Sequence, residues 1–255
     1  MRPLIVANWK MNKTPEEAAS FMEKIAKYQE EMNPNCDIAI CAPFICLDIC
    51  VEKSKQGRIK IGAQNCHFEK SGAFTGEISA YMLSKIGVKF TILGHSERRQ
   101  YFAETSETVN LKVKSSLKSG LDVIICVGES LEQKSTAQKI IFTQLELALL
   151  GVDIADLPRI CIAYEPIWAI GSNKIEWFKR SGEICMKIRS MLGEIYDSPA
   201  AASLVKILYG GSVNSSNLIS VLSEPDIDGA LVGNASLVSD EFLKIIECAR
   251  GVKRS

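Results

Sequence analysis

Net charge is the first thing this chain lacks. Its 255 residues carry 30 basic and 30 acidic side chains, which leaves no basic field for nucleic acid and no polybasic face for an anionic membrane. No window approaches the length of a membrane span, and the apolar stretch from Leu4 to Trp9 is far too short for a secretory signal. There are two histidines, His67 and His95, and none of the nine cysteines pairs with another as CxxC, so a zinc site is not expected. The cysteines stand mostly inside apolar runs, as buried thiols in a reducing cytoplasm do. Neither GxGxxG nor GxxxxGK occurs, which removes the phosphate loops that open doubly wound sheets often carry. No linker or shift of composition divides the chain, and residues 1–255 read as one domain.

What is present is a rhythm. Eight short apolar runs begin near Leu4, Cys36, Lys60, Phe90, Leu121, Arg159, Val205 and Asp228, and amphipathic segments separate them. The runs are apolar throughout rather than alternating, which suits parallel strands buried on both faces. Eight strand–helix units in this length predict an α/β fold, a single (β/α)8 barrel. The intervening segments carry helix signals. Thr14-Pro15-Glu16-Glu17 is a capping box with proline at the first helical position, and Phe21, Met22, Ile25 and Tyr28 then share a face. Asp240 to Ala249 repeats the pattern with Phe242, Leu243, Ile245 and Ile246, and Gly120 reads as the C-cap of a helix that starts near Glu107.

In such a barrel chemistry gathers where strands end. The polar and glycine-rich residues of this chain stand there: Asn8 and Lys10, Gln64 and Asn65, His95 to Glu97, Glu129, Glu165, Gly210 to Ser212, and Gly233 with Asn234. Lys60, Lys89 and Lys206 fall at strand starts, on the opposite face, and read as structural. The sixth run ends on Tyr164-Glu165-Pro166. Proline biases the residue before it towards extended geometry, so Glu165 projects as the chain leaves the sheet. The apolar, glycine-hinged loop from Ile167 to Ser172 could cover its carboxylate and exclude water, which is how a protein makes a usable general base.

Seven segments in order closely resemble the triosephosphate isomerase family. They are Asn8 to Asn12, Gly72 to Glu77, Gly94 to Arg99, Cys126 to Glu129, Tyr164 to Gly171, Tyr209 to Val213, and Asp228 to Leu237. The resemblance implies interconversion of dihydroxyacetone phosphate and glyceraldehyde 3-phosphate through an enediolate, with no cofactor or metal. It makes Glu165 the base, His95 a neutral electrophile at the start of a short helix, and Lys10 the cation. That division between a glutamate and a neutral histidine is the family's established one. Asn8 and Glu97 would support Lys10. Gly171, Ser212, Gly233 and Asn234 would bind the phosphate, aided by a short helix starting near Ala235. Cys126 matches the family as a supporting residue, more in keeping with packing than chemistry. Thr75 would meet the partner's Asn8 and Lys10 in a two-fold homodimer.

Two departures stand out. The family usually has a second glycine where this chain has Asn234, and its far lid hinge is lighter than Asn173-Lys174-Ile175-Glu176. These departures keep a ketotetrose phosphate as an alternative substrate. A barrel that binds sugar phosphates without turnover, and a Schiff-base lyase using Lys10, are further alternatives.

Overall fold

A computed structural model describes residues 2–55, 58–169 and 175–251. Eight strands form the sheet: β1 Leu4–Asn8, β2 Asp37–Ala42, β3 Ile59–Ala63, β4 Phe90–Leu93, β5 Asp122–Glu129, β6 Ile160–Pro166, β7 Lys206–Tyr209 and β8 Gly229–Val232. Each begins within one residue of the run that predicts it. All neighbours are parallel, the order follows the chain, and β8 pairs with β1 to close the barrel. Around it lie α1 Pro15–Met32, α2 Leu47–Ser54, α3 Ala80–Lys85, α4 Ser96–Tyr101, α5 Ser106–Lys118, α6 Ala137–Leu149, α7 Ile175–Ile195, α8 Ala201–Leu204, α9 Leu218–Leu222 and α10 Ser239–Arg250.

Local chemistry accounts for the helix ends. The Thr14 hydroxyl accepts the Glu17 N–H at 3.3 Å and the Glu17 carboxylate accepts the Thr14 N–H at 2.8 Å, so α1 opens on a complete capping box. Phe21, Met22 and Ile25 are buried against the barrel and Tyr28 packs at its edge. After α5 the chain must turn sharply into β5. Gly120 does this at φ +84°, with its N–H on the Leu117 carbonyl at 3.1 Å.

The pleat sorts the core into two layers. One set of side chains, including Ile5, Ala7, Ile38 and Ile40, meets the helices. The alternate set, including Val6, Ala39, Cys41, Phe90, Ile92, Ile124, Cys126, Ala163, Leu208 and Leu231, fills the barrel interior. Glu165 is two residues beyond Ala163 and four beyond Cys161, so it shares their inward parity and rises at the mouth from the barrel axis. Among the described residues no helix is long and apolar enough to cross a membrane.

Candidate active site

Glu165 is 2% exposed at the end of β6. Its Oε2 accepts the Ser96 backbone N–H at 2.8 Å, and its Oε1 lies 3.0 Å from His95 Nε2. The neighbouring strands leave room only for glycine. A Cβ on Gly128, the register partner in β5, would stand 1.9 Å from the Glu165 carbonyl oxygen, and one on Gly210 would stand 2.9 Å from its Cγ.

His95 is the N-cap of α4, as its position after β4 predicts. Its Nδ1 accepts the Glu97 N–H at 3.3 Å, which leaves Nε2 as the ring's donor towards Glu165. That pattern is the neutral tautomer. Burial opposes charging the ring, but the charge and hydrogen bond of Glu165, with Glu97 behind them, outweigh burial and Lys10, and the net shift is upward from the ordinary imidazole value. The helix start alone does not set this ring's proton affinity. The adjacent carboxylate does.

Lys10 sits two residues past the end of β1 at φ +52°, in the left-handed region that a lysine rarely adopts. Its backbone is held on both sides: its N–H reaches Asn8 Oδ1 at 3.1 Å and its carbonyl accepts Gln64 Nε2 at 2.9 Å. Asn8 therefore orients the lysine through its main chain, and Glu97 meets the ammonium at 2.7 Å. Gly233 stands over the same side chain; a Cβ there would be 3.6 Å from Lys10 Cε.

Asn8, Lys10, His95, Glu165, Ser212, Gly233 and Asn234 all line one cavity of about 330 Å³. Asn214 lines it too, a residue that the motifs did not single out. Asn234 opens a 3-10 turn, Asn234–Ser236, so the helix expected near Ala235 is a single tight turn. Neither Gly233 nor Asn234 has positive φ, which explains how asparagine is accommodated at that position. Gly171, with the lid residues Ser172, Asn173 and Lys174, lies outside the described residues.

Other supports were not legible as such. Gly94 N–H donates to Glu104 at 3.1 Å, and Glu104 is bound in turn by Lys112, which reaches Asn65 at 2.9 Å. Arg99 grips the Gly94 carbonyl at 2.8 Å and the Cys126 carbonyl at 3.3 Å. Together these fix the end of β4 beneath His95. Cys126 is fully buried in the barrel interior, and burial, then Glu165, push its thiol well above the usual range, so it packs as a neutral group. On the far side of Glu165, Tyr164 and the Trp168 indole both donate to Glu129, at 3.0 and 2.8 Å. His67 lies apart, stacked between Phe68 and Phe74. Thr75 is exposed at a loop tip. Among the described residues no group of three His, Cys, Asp or Glu could hold a metal.

Comparison with known proteins agrees with this geometry. The family model described as triosephosphate isomerase matches residues 3–249. The triosephosphate isomerase of Acetivibrio thermocellus is 46% identical over 247 residues, 96% of this chain and 97% of that protein. That of Alkaliphilus oremlandii is 47% identical over 248 residues, 96% and 98% of the two chains. The crystal structure of triosephosphate isomerase from Bartonella henselae superposes with a TM-score of 0.87 at 34% identity, covering 98% of this chain and all of that one. With closed barrel, strand-end carboxylate and imidazole, and similarity along almost its whole length, the chain belongs to the triosephosphate isomerase family.

Proposed function

We propose that this protein interconverts dihydroxyacetone phosphate and D-glyceraldehyde 3-phosphate by proton transfer between adjacent carbons. The observation that carries the reading is the pair Glu165 and His95, 3.0 Å apart and opening into one cavity with Lys10. The reaction needs a base for a carbon-bound proton, a hydrogen-bond donor for the carbonyl oxygen, a cation for the enediolate and an anchor for the phosphate. Glu165 takes the proton. His95 Nε2 donates to the oxygen and passes a proton between the two oxygens as the enediolate rearranges. Lys10 balances the negative charge. The backbone N–H groups of Ser212, Gly233, Asn234 and Gly171 hold the phosphate dianion, at the strand-seven and strand-eight loops where such barrels bind phosphate.

The free site is not yet in its reactive arrangement. Both Glu165 oxygens are occupied, one by Ser96 and one by His95. Substrate entering between base and imidazole must release these contacts, and the carboxylate turns towards carbon. With the carboxylate withdrawn, burial is the largest remaining influence on His95 and favours the neutral ring that the reaction needs, with Lys10 acting the same way and Glu97 against it.

The reading extends to assembly and place. Met11 is 96% exposed beside the site, next to Phe102 at 65%, and both line a further cavity of about 220 Å³ that also reaches Lys10 and Glu97. Apolar surface in contact with the catalytic groups supports a two-fold homodimer in which the Thr75 loop enters the partner's socket. Cytoplasmic residence goes with the substrate and with nine free cysteines. Nothing among the described residues or the relatives favours a ketotetrose phosphate.

The deciding experiment is incubation of the purified protein with dihydroxyacetone phosphate in heavy water, followed by NMR. Deuterium appears at C1 of the ketone and at C2 of the aldehyde as aldehyde accumulates. Product or substrate free of solvent deuterium, or phosphate-competitive binding without turnover, overturns the proposal.

A further inference from the structure

The barrel has a second opening, at the starts of its strands. A cavity of about 170 Å³ enters there, away from the active-site mouth. Its wall is apolar, built from Ala39, Phe90, Ile124, Cys161 and Leu204, and five charged side chains form its rim. Burial pushes the Cys161 thiol up to about 12, with Lys206 and Lys60 pulling the other way, so this sulfur is a neutral part of the wall.

The rim charges are not equivalent. Lys206 is committed to Asp37 at 3.1 Å and to the Arg2 carbonyl at 3.2 Å. Arg159 is spent on Asp156 at 3.2 Å, Asp122 at 3.5 Å and the carbonyls of Leu117 and Leu121 at 3.1 and 3.0 Å. Lys60 is exposed and has no ion pair or hydrogen bond among the described residues. Asp37, Asp122 and Asp156 are thus taken up by Lys206 and Arg159, and Lys60 is the rim cation whose side chain has no carboxylate partner among the described residues.

We propose that this opening binds a small organic monoanion, an aromatic or branched carboxylate, with its apolar end in the barrel floor and its carboxylate on Lys60. Size sets the apolar end: a dry cavity of about 150 Å³ is enough for benzene. Charge sets the head group. A second negative charge would face Asp37 and Asp122 across the rim, so a dianion such as a phosphate monoester is disfavoured, in contrast to the active site.

The probe is sodium benzoate, titrated into the full chain and followed by ligand-observed and amide NMR. Saturable binding with a Kd of about 1 mM is expected for a ligand of this size. Amide shifts at Lys60, Phe90 and Leu204 should accompany it, and saturating glycerol 3-phosphate, which occupies the active-site cavity but has no carbonyl to react, should not displace it. Lys60→Met should weaken benzoate roughly tenfold and Lys60→Arg much less, with isomerase activity unchanged in both. On the unaltered protein, neutral benzyl alcohol and dianionic terephthalate should each bind roughly tenfold more weakly than benzoate, which tests the assignment even if a variant fails to fold. Equal affinity of Lys60→Met for benzoate, displacement by glycerol 3-phosphate, terephthalate binding as well as benzoate, or no saturation would each overturn it.

Discussion

Glu165 holds its place through two contacts, the Ser96 N–H and the His95 ring, and its reach from β6 sets how close the carboxylate comes to a substrate carbon. On the proposed assignment, shortening it by one methylene withdraws the base while leaving the phosphate-binding loops unaltered. Glu165→Asp is therefore expected to lower kcat by roughly 10²–10³-fold with KM little changed. Steady-state kinetics in both directions checks this, and a change confined to KM would remove Glu165 from its role. His95 supplies a second prediction. Its proton affinity is raised chiefly against burial by the Glu165 carboxylate. The imidazole should titrate above its ordinary value in ligand-free protein, and in Glu165→Gln it should move back down, as read by NMR of ring nitrogens. Since the folded value lies above the unfolded one of ~6.5, the pair stabilises the fold fully below that pH and loses its effect as pH rises through the folded value. Glu165, His95 and Lys10 were legible as candidates because each stands at or just past the end of a strand. Ser96 was not legible as the partner of Glu165, since a backbone N–H leaves no mark in side-chain chemistry.

Elements were easier to read where a local device defines them. Thr14 and Glu17 satisfy each other's backbone groups within four residues, so the start of α1 follows from the sequence alone. Thr14→Ala removes the hydroxyl acceptor and is expected to lower stability by about 1 kcal/mol, a shift visible in urea unfolding with unchanged m-value. An unchanged midpoint would mean that α1 is held by its packed face alone. The short α8 and α9 and the turn at Asn234–Ser236 were harder. Each is too brief for an apolar period to register. The end of β4 shows a further mechanism. Glu104 takes the Gly94 N–H, Arg99 takes its carbonyl and Lys112 braces Glu104, and as single charges in the sequence all three read as ordinary surface groups.

At the scale of the whole molecule, the candidate site lies beside an exposed apolar margin. The homodimer reading expects a dimer in sedimentation at nanomolar concentration. Thr75→Arg, which sets a like charge against the partner's Lys10, should cost about 2–4 kcal/mol of association, a roughly 30- to 700-fold rise in dimer dissociation constant. Specific activity should then fall on dilution far sooner than for the unaltered protein. A fully active monomer would remove the Thr75 contact from the account. The two ends of the barrel also differ. Loops and glycines at the strand ends make one mouth a site for a dianion, whereas packed ion pairs at the strand starts leave a small, mainly apolar opening.

The sequence by itself determined the strand count, the parallel barrel, the face on which chemistry stands and the family resemblance. These follow from local periodicity, turn chemistry and short motifs, all of which act over a few residues. Tertiary structure alone decided which groups meet. Ser96 lies 69 positions from Glu165, and Lys10 lies 87 from Glu97. Their contacts depend on strand register and on closure of β8 against β1. Alternation tells which way a side chain points, but register, set by packing around the whole ring, fixes its height and its neighbours. That is also why Lys60 reads as one more surface lysine until the closed barrel places it at the rim with no ion pair among the described residues.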